Sequence, residues 1–399
     1  MALIPFFVLL ALMLFCVAAA WWEHRRPRRQ APSIPISVLI PCYNDGATLA
    51  TTLDSVFASY DPALLDVLIG NDASTDDSAD VIDALAANYP IRVVHHTINR
   101  GKSQTLNQLA ALAHHDLLVF IDADTQLNAR AMTDMLTRLH HDPTVGAVSC
   151  AYQPTNSGWL PSLQSIDYSM IATVQGGYNI FSALALWGGC IAVRRTAFLE
   201  AEGFSDAAIT EDVDLAHKLN RNGWRVQQSM IPVKSWVPES MQSWVRQKIR
   251  WTAGGFQCLW NHPSVWLKNP MHVVLMTLYA FLSINCLVVL VRNIITLGAV
   301  FDLLHTLSTF YPWNALFPLI AHLASVFVVE SVSLLLAFTL LNAVYVIPWM
   351  QRWRDLGKLI LLPPFVMLYF PVYVVVSMMG LGHFVRHAQR LALKEARAW

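Results

Sequence analysis

The sequence predicts an α/β fold, a doubly wound open sheet fused to a transmembrane helical region, and three observations carry the prediction. Short Val- and Ile-rich runs alternate with amphipathic stretches from Pro32 to Cys150. Polar and acidic residues gather where those runs end. Beyond residue 262 the chain turns into a succession of long apolar segments. Composition agrees: 55% of the 399 residues are hydrophobic and 14% charged, too apolar for a soluble enzyme of this length. The 27 basic and 27 acidic residues cancel, which argues against nucleic acid as the main partner. Six scattered cysteines (Cys16, Cys42, Cys150, Cys190, Cys258 and Cys286) form no CxxC pair and read as reduced packing residues.

Met1–Trp22 carries no charge and is long enough to cross a bilayer, and Arg25, Arg26, Arg28 and Arg29 follow it. A cleavable leader would put its positive charge first, so residues 1–22 read as an anchor with the following chain on the cytoplasmic side. Ile36–Ile40, Val67–Ile69, Ile91–Val94, Leu117–Ile121 and Val145–Val148 are bounded by turn residues, as buried parallel strands are. Helical faces lie between them: Leu49, Leu53, Val56 and Phe57; Val81, Ile82 and Leu85; Leu106, Leu109, Ala110 and Ala113; Met132, Met135, Leu136 and Leu139. This alternation puts helices on both faces of the sheet.

In such a sheet ligands bind outside the carboxyl ends of the strands. Those ends read Pro41-Cys42-Tyr43-Asn44-Asp45, Asn71-Asp72, Asn99-Arg100-Gly101-Lys102 and Asp122-Ala123-Asp124. No GxGxxG follows the first strand, which counts against a nicotinamide or flavin dehydrogenase. Asp122 and Asp124, two apart, suit a hard Mg²⁺ or Mn²⁺ ion whose shell a substrate diphosphate completes, or else they cap the next helix. Asp72 adds a carboxylate to the same rim. Lys102 reads equally as a phosphate neighbour or a solvated charge at a helix start.

Trp159–Phe181 has an apolar helical face that fits either the membrane surface or the domain. Gly188-Gly189 before the short strand Cys190–Val193 allows a close backbone approach to a ligand, or a bulge. Thr210-Glu211-Asp212 opens a helix in which the acids favour the helix dipole, and one of them is placed to accept a proton from a sugar hydroxyl. Ser240 is the expected N-cap of a further helix, on which Gln247, Arg250 and Trp251 share a face. That face reads either as an interfacial anchor or as a binding surface.

As an ordered set, Pro41-Cys42-Tyr43-Asn44, Asn71-Asp72, Asp122-Ala123-Asp124, Thr210-Glu211-Asp212 and Gln247-Lys248-Ile249-Arg250-Trp251 resemble the processive family 2 glycosyltransferases, which include cellulose, hyaluronan and chitin-oligosaccharide synthases. Gly101–Asn107, Ile209–Asp214 and Arg246–Gly255 are most similar to bacterial poly-N-acetylglucosamine synthases. The resemblance implies a GT-A fold over residues 32–262, with Tyr43 and Asp72 on uridine, Asp122 on the UDP and Asp124 on its metal. It implies Asp212 as general base and Gln247, Arg250 and Trp251 on the diphosphate and the acceptor sugar. It further implies Mg²⁺ or Mn²⁺, a UDP-sugar donor (UDP-N-acetylglucosamine), a growing polysaccharide acceptor, a lipid bilayer and room for a small accessory membrane subunit. Where such enzymes usually carry two acids before Gly-Ser, this chain has Asn71-Asp72-Ala73-Ser74, leaving one carboxylate.

His272–Val300, Ala315–Val346 and Leu359–Leu381 are each long enough to cross, so residues 272–383 are expected to form a transmembrane region, with a basic tail over 384–399. Three crossings would leave that tail outside, unless the last segment, interrupted by Pro363, Pro364 and Pro371, re-enters. Glu330, alone in an apolar run, faces a protein interior or a wet path. The expected protein is a multi-pass inner-membrane enzyme with a cytoplasmic catalytic domain. Single addition to a polyprenyl phosphate and a catalytically inactive scaffold or polymer transporter are the alternatives.

Overall fold

The computed structural model describes residues 32–268, 295–323 and 357–396, with parts of 11–23 and single positions between 288 and 343. Seven strands form one sheet: β1 (Ile36–Cys42), β2 (Leu65–Asn71), β3 (Ile91–His95), β4 (Leu117–Ile121), β5 (Val145–Pro154), β6 (Cys190–Arg194) and β7 (Arg225–Ser235). Their spatial order is β3-β2-β1-β4-β6-β5-β7. All five strands expected from the Val- and Ile-rich runs are present. The sheet is nevertheless mixed: β6 runs antiparallel to both β4 and β5, whereas β1 to β4, and β5 with β7, pair in parallel. Strand β7 escaped the sequence reading because Gln227, Gln228, Ser229 and Pro232 interrupt its apolar pattern. Their polar side chains are spent internally, Gln228 Oε1 accepting from the Ser149 hydroxyl at 2.9 Å and the Ser229 hydroxyl donating to Asp134 Oδ2 at 2.7 Å. The register shift between Cys150 and Ala151 accommodates Pro232.

Alternation along the strands sorts the core into two layers. Val38 and Ile40 of β1 face α1 (Gly46–Phe57), α2 (Ser78–Ala86) and α4 (Ala129–His141), meeting Leu49, Leu53, Ile82, Met132 and Met135. Leu39, Leu68 and Phe120 face the opposite way, onto Leu106 and Leu109 of α3 (Lys102–Leu112), Phe198 of α6 (Arg195–Glu200) and Leu215 and Leu219 of α7 (Glu211–Arg221). Each such wholly buried Leu, Val or Phe contributes about 1.5–3 kcal/mol over an exposed one.

A third core joins distant parts of the chain. Leu160, Leu163 and Ile166 of α5 (Trp159–Tyr178) pack with Trp244 of α8 (Met241–Asn261) and with Leu362, Phe365, Val366 and Tyr369. The Trp159–Phe181 helix thus lies on the domain, with the Trp159 ring exposed at its start. The prolines break the last segment into a short helix at Leu362–Pro364, a π-helical turn at Phe365–Tyr369 and α9 (Phe370–Ala396), which runs unbroken through residues 383 and 384. Gly380 brings α9 against α8, where a Cβ would stand 2.7 Å from Thr252 Cβ.

Among the described residues no helix is long and apolar enough to cross a membrane. Most of the expected crossings at His272–Val300 and Ala315–Val346, most of Met1–Trp22, and Glu330, Cys16 and Cys286 lie outside the described residues; the third expected crossing, Leu359–Leu381, lies within them and does not form such a helix. Residues 17–23 are helical; Ala20 packs on Ala151, Ala172 and Met230, and Glu23 pairs with Arg138 at 3.0 Å. Cys42, Cys150, Cys190 and Cys258 are free and buried, as packing residues should be.

Candidate active site

The carboxyl ends of β1, β2 and β4 and the turn entering β6 form one rim, on which the acidic motifs meet. Lys102, the first residue of α3, reaches across it: Nζ lies 2.6 Å from Asp122 Oδ1 and 3.3 Å from Glu211 Oε1. Burial alone would lower the Lys102 pKa, but Asp122 and Glu211 raise it well above its ordinary value. Lys102, its side chain 36% exposed, is thus an ion-paired cation on the rim.

Asp212, in the first turn of α7, accepts hydrogen bonds from the Gly188 N–H and the Val213 N–H, both at 2.8 Å. The close approach expected at Gly188-Gly189 is thus made, at Gly188, by this carboxylate, since a Cβ there would stand 2.8 Å from Asp212 Oδ2. Burial and then the neighbouring Glu211 charge push the Asp212 carboxyl up to about 6, opposed by Lys102. An acid so poised is a proton acceptor near neutral pH. Thr210 stands at the N-cap of α7, yet its side chain makes no capping bond. Its methyl and hydroxyl instead fill the space left by Gly254 on α8.

Asp124 accepts from the hydroxyls of Thr125 at 3.3 Å and Ser235 at 3.5 Å. Burial, then Asp122 and Asp45, push it up to about 6. A carboxylate whose charge is opposed by two others fits a divalent cation, and hard oxygen donors suit Mg²⁺ or Mn²⁺. Among the described residues no three His, Cys, Asp or Glu side chains group closely enough to make a metal site by themselves. Substrate phosphate oxygens would have to complete the shell.

Asp72, at the end of β2, is engaged by the chain itself. Its carboxylate is buried and accepts from the backbone N–H groups of Arg100 and Gly101, both at 2.8 Å, while His96 Nδ1 lies 2.9 Å away. Burial works against its charge, yet the Arg100 N–H, His96 and the Gly101 N–H hold the carboxyl below the ordinary carboxylate range. Asp72 thus shapes the Asn99–Gly101 turn that delivers Lys102. Tyr43 is exposed at the end of β1, beside Asn44, whose positive φ of 57° and bonds to Ser74 and Thr75 tie the β1 and β2 ends together. Among the described residues no hydrogen bond or ion pair links Tyr43 or Asp72 to Asp122, Asp124 or Asp212.

On α8, Ser240 caps the helix as expected, accepting from the Ser243 N–H at 3.2 Å. Arg250 Nη1 donates to the Ile209 carbonyl at 3.4 Å, and its charge favours the ionised forms of Glu211 and Asp212, a smaller influence than burial or Lys102. Gln247 is half-buried with its carbonyl oxygen unpartnered among the described residues. Trp251 continues an aromatic set: its ring lies 6.1 Å from Tyr168, which lies 5.4 Å from Trp187, which lies 4.8 Å from Tyr152. The Tyr152 phenol is pushed well above its ordinary pKa by burial and then by Asp122, so it stays protonated.

Sequence reasoning gave no role to Glu211, Tyr152, Tyr168, Trp187, Asp167 or Lys248. Asp167 carried the readable signal, an isolated acid inside an apolar helical face, and Lys248 sits within the Gln247–Trp251 motif itself.

Residues 37–201 match the family model described as glycosyl transferase family 2. Over 230 residues the chain is 31% identical to the poly-beta-1,6-N-acetyl-D-glucosamine synthase of Staphylococcus aureus (strain COL), covering 56% of this chain and 55% of that protein. The enzyme of the same name from Staphylococcus epidermidis is 29% identical over 229 residues, again covering 56% and 55%. The chain spans about half the length of the curated relatives it matches. Among solved structures, a mannosyltransferase from Pyrobaculum calidifontis in complex with GDP-Man and Mn²⁺ superposes with a TM-score of 0.51 at 19% identity, covering 89% of this chain and 98% of that one, a likeness of fold. The mixed sheet, the acidic rim and these matches agree: residues 37–201 resemble a glycosyl transferase family 2 domain, within a seven-stranded sheet of GT-A-like fold.

Proposed function

We propose that the protein is an inverting, processive glycosyltransferase that extends a β-linked polysaccharide from a UDP-sugar, with UDP-N-acetylglucosamine as donor. The observation that carries the reading is Asp212, a carboxylate pushed up to about 6 on the same rim as Asp122 and Asp124. The named activity of the staphylococcal relatives supports the choice of sugar and polymer.

In this reading Asp212 takes the proton of the acceptor hydroxyl as that oxygen attacks the anomeric carbon and UDP departs from the opposite face. The Gly188 and Val213 N–H groups hold the carboxylate in place through the transfer. Lys102 and Arg250 supply fixed positive charge for the diphosphate, Gln247 a polar contact beside it, and Asp122 orients Lys102. Asp124 would hold Mg²⁺ or Mn²⁺, which when bound neutralises phosphate charge. Tyr43 and the turn organised by Asp72 face the nucleoside side of the rim, and Trp251 offers an aromatic face to the acceptor sugar. We place the enzyme at the inner membrane with its catalytic domain cytoplasmic, the apolar segments outside the described residues anchoring it and carrying the product across. A small accessory membrane subunit belongs to the same proposal.

The test is incubation of the purified protein in lipid with single UDP-sugars and Mn²⁺ or Mg²⁺, followed by sizing of the product. A polymer from UDP-N-acetylglucosamine is expected. Polymer from UDP-glucose alone would reverse the donor, a single-sugar product on a polyprenyl phosphate would remove processivity, and absence of UDP release from every donor would overturn the reading.

A further inference from the structure

Beneath Trp251 lies a buried polar knot that the transfer chemistry does not use. Lys248 is wholly buried, and its Nζ meets Asp167 Oδ2 of α5 at 2.8 Å. The same carboxylate oxygen accepts from the Tyr369 hydroxyl at 2.9 Å, and that hydroxyl accepts from Trp244 Nε1 at 3.0 Å. The remaining surroundings of the ammonium are aromatic: its nitrogen stands 4.2 Å from the centre of the Trp251 ring, 5.1 Å from Tyr168 and 5.4 Å from Tyr373.

Removing an ammonium from water without benefit is costly, and packing alone could be supplied by a methionine of similar length. A charge kept here acts on what it touches, and the nearest ring is Trp251. An ammonium over one indole face is attracted to its π cloud, resists tilting of the ring, and confines a stacking pyranose to the other face. Lys248 and Trp251 lie three residues apart on α8, so the helix alone brings them near; Asp167 and Tyr369, from other segments, fix the ammonium's exact height and direction.

We propose that Lys248, clamped by Asp167 and Tyr369, is a positioning residue that sets the Trp251 ring for the acceptor sugar. The inference rests on the acceptor role proposed for Trp251. It ties that platform to the π-helical turn at Phe365–Tyr369, so the C-terminal segment has a direct mechanical hold on acceptor binding.

The experiment measures three quantities on full-length protein in lipid: UDP affinity with Mn²⁺, UDP release by transfer to water, and sugar transfer to a short β-linked oligosaccharide at varied concentration. Lys248→Met should raise the KM for the oligosaccharide about tenfold, the scale of a desolvated cation–π contact. UDP affinity and transfer to water should stay near wild type, and Lys248→Arg should recover part of the loss. Because a lone Asp167 charge could unfold the single variant, the Lys248→Met/Asp167→Asn pair, which buries no net charge, is measured beside it and should show the same split. Equal falls in all three quantities, tracking the folded fraction, would reduce the knot to scaffolding and overturn the proposal. An unchanged oligosaccharide KM would overturn it as well. Wild-type protein that releases no UDP from any UDP-sugar would overturn the functional reading itself, and the inference with it.

Discussion

Replacement of Asp212 by Asn tests the chemistry most directly, because the structure predicts opposite effects on turnover and stability. The Asp212 carboxyl titrates at about 6, against an ordinary value of 3.8. A folded pKa above the unfolded one means that the folded chain holds the proton longer. The group's contribution to stability is therefore fully present below the unfolded value and is lost as pH rises through about 6. A displacement of roughly two units corresponds to about 3 kcal/mol of destabilisation by the ionised form at pH 8. Asn removes that charge while keeping one oxygen for either the Gly188 or the Val213 N–H; the bond it cannot keep costs about 1 kcal/mol. The variant should thus be at least as stable as wild type at pH 8 and lose that advantage near pH 4, read from urea denaturation at both pH values. Turnover should fall by about a hundredfold or more, the lower end of general-base catalysis, with UDP affinity unchanged. Wild-type activity should itself decline as pH drops through about 6. Polymer synthesis near the wild-type rate by the Asn variant would remove Asp212 from the mechanism, and a stability loss at pH 8 would refute the electrostatic argument.

Four further substitutions, at three positions, separate the parts of the site. Asp124→Ala should abolish the Mn²⁺ dependence of UDP binding in calorimetric titrations; unchanged metal-dependent binding would demote Asp124 to a partner of Thr125 and Ser235. Asp72→Ala should lower stability by about 2–3 kcal/mol at pH 7, since two partly buried N–H groups and His96 lose a charged acceptor. Because its folded pKa is depressed, that contribution is present above the unfolded value and fades as pH falls through the folded one, so the gap from wild type should narrow at acid pH. Trp251→Ala should stop elongation while UDP affinity holds, and Trp251→Phe should elongate partially; full-length polymer from the Ala variant would end the platform reading.

What the sequence disclosed follows from how local each signal is. The helical faces containing Leu49, Leu106 and Met132 are read from spacing alone, and each packs on the sheet as expected. The antiparallel insertion of β6 between β4 and β5 depends on long-range pairing, which no period within Cys190–Val193 encodes. Asp122, Asp124 and Asp212 could be singled out because strand ends and helix starts gather ligand-binding groups. The service of Asp72 to the Arg100–Gly101 turn was hidden, because it joins residues 28 and 29 positions apart. Lys248 was hidden for a different reason: only the fold shows that a charge beside Arg250 points inward to Asp167.

The third core also bears on where the molecule can be cut. A fragment ending near residue 262 contains every carboxylate of the rim, yet it strips Leu362, Phe365, Val366 and Tyr369 from the faces of Leu160, Leu163, Ile166 and Trp244. The exposed surface would include the indole N–H of Trp244 without its acceptor and Asp167 without one of its donors. Such a fragment would be sticky at the very surface that carries Trp251. A soluble excised enzyme therefore has to bring residues 357–396 with it, joined by a new linker, or have those apolar faces redesigned. In folding terms, the body that carries the rim is completed by a segment far along the chain from it.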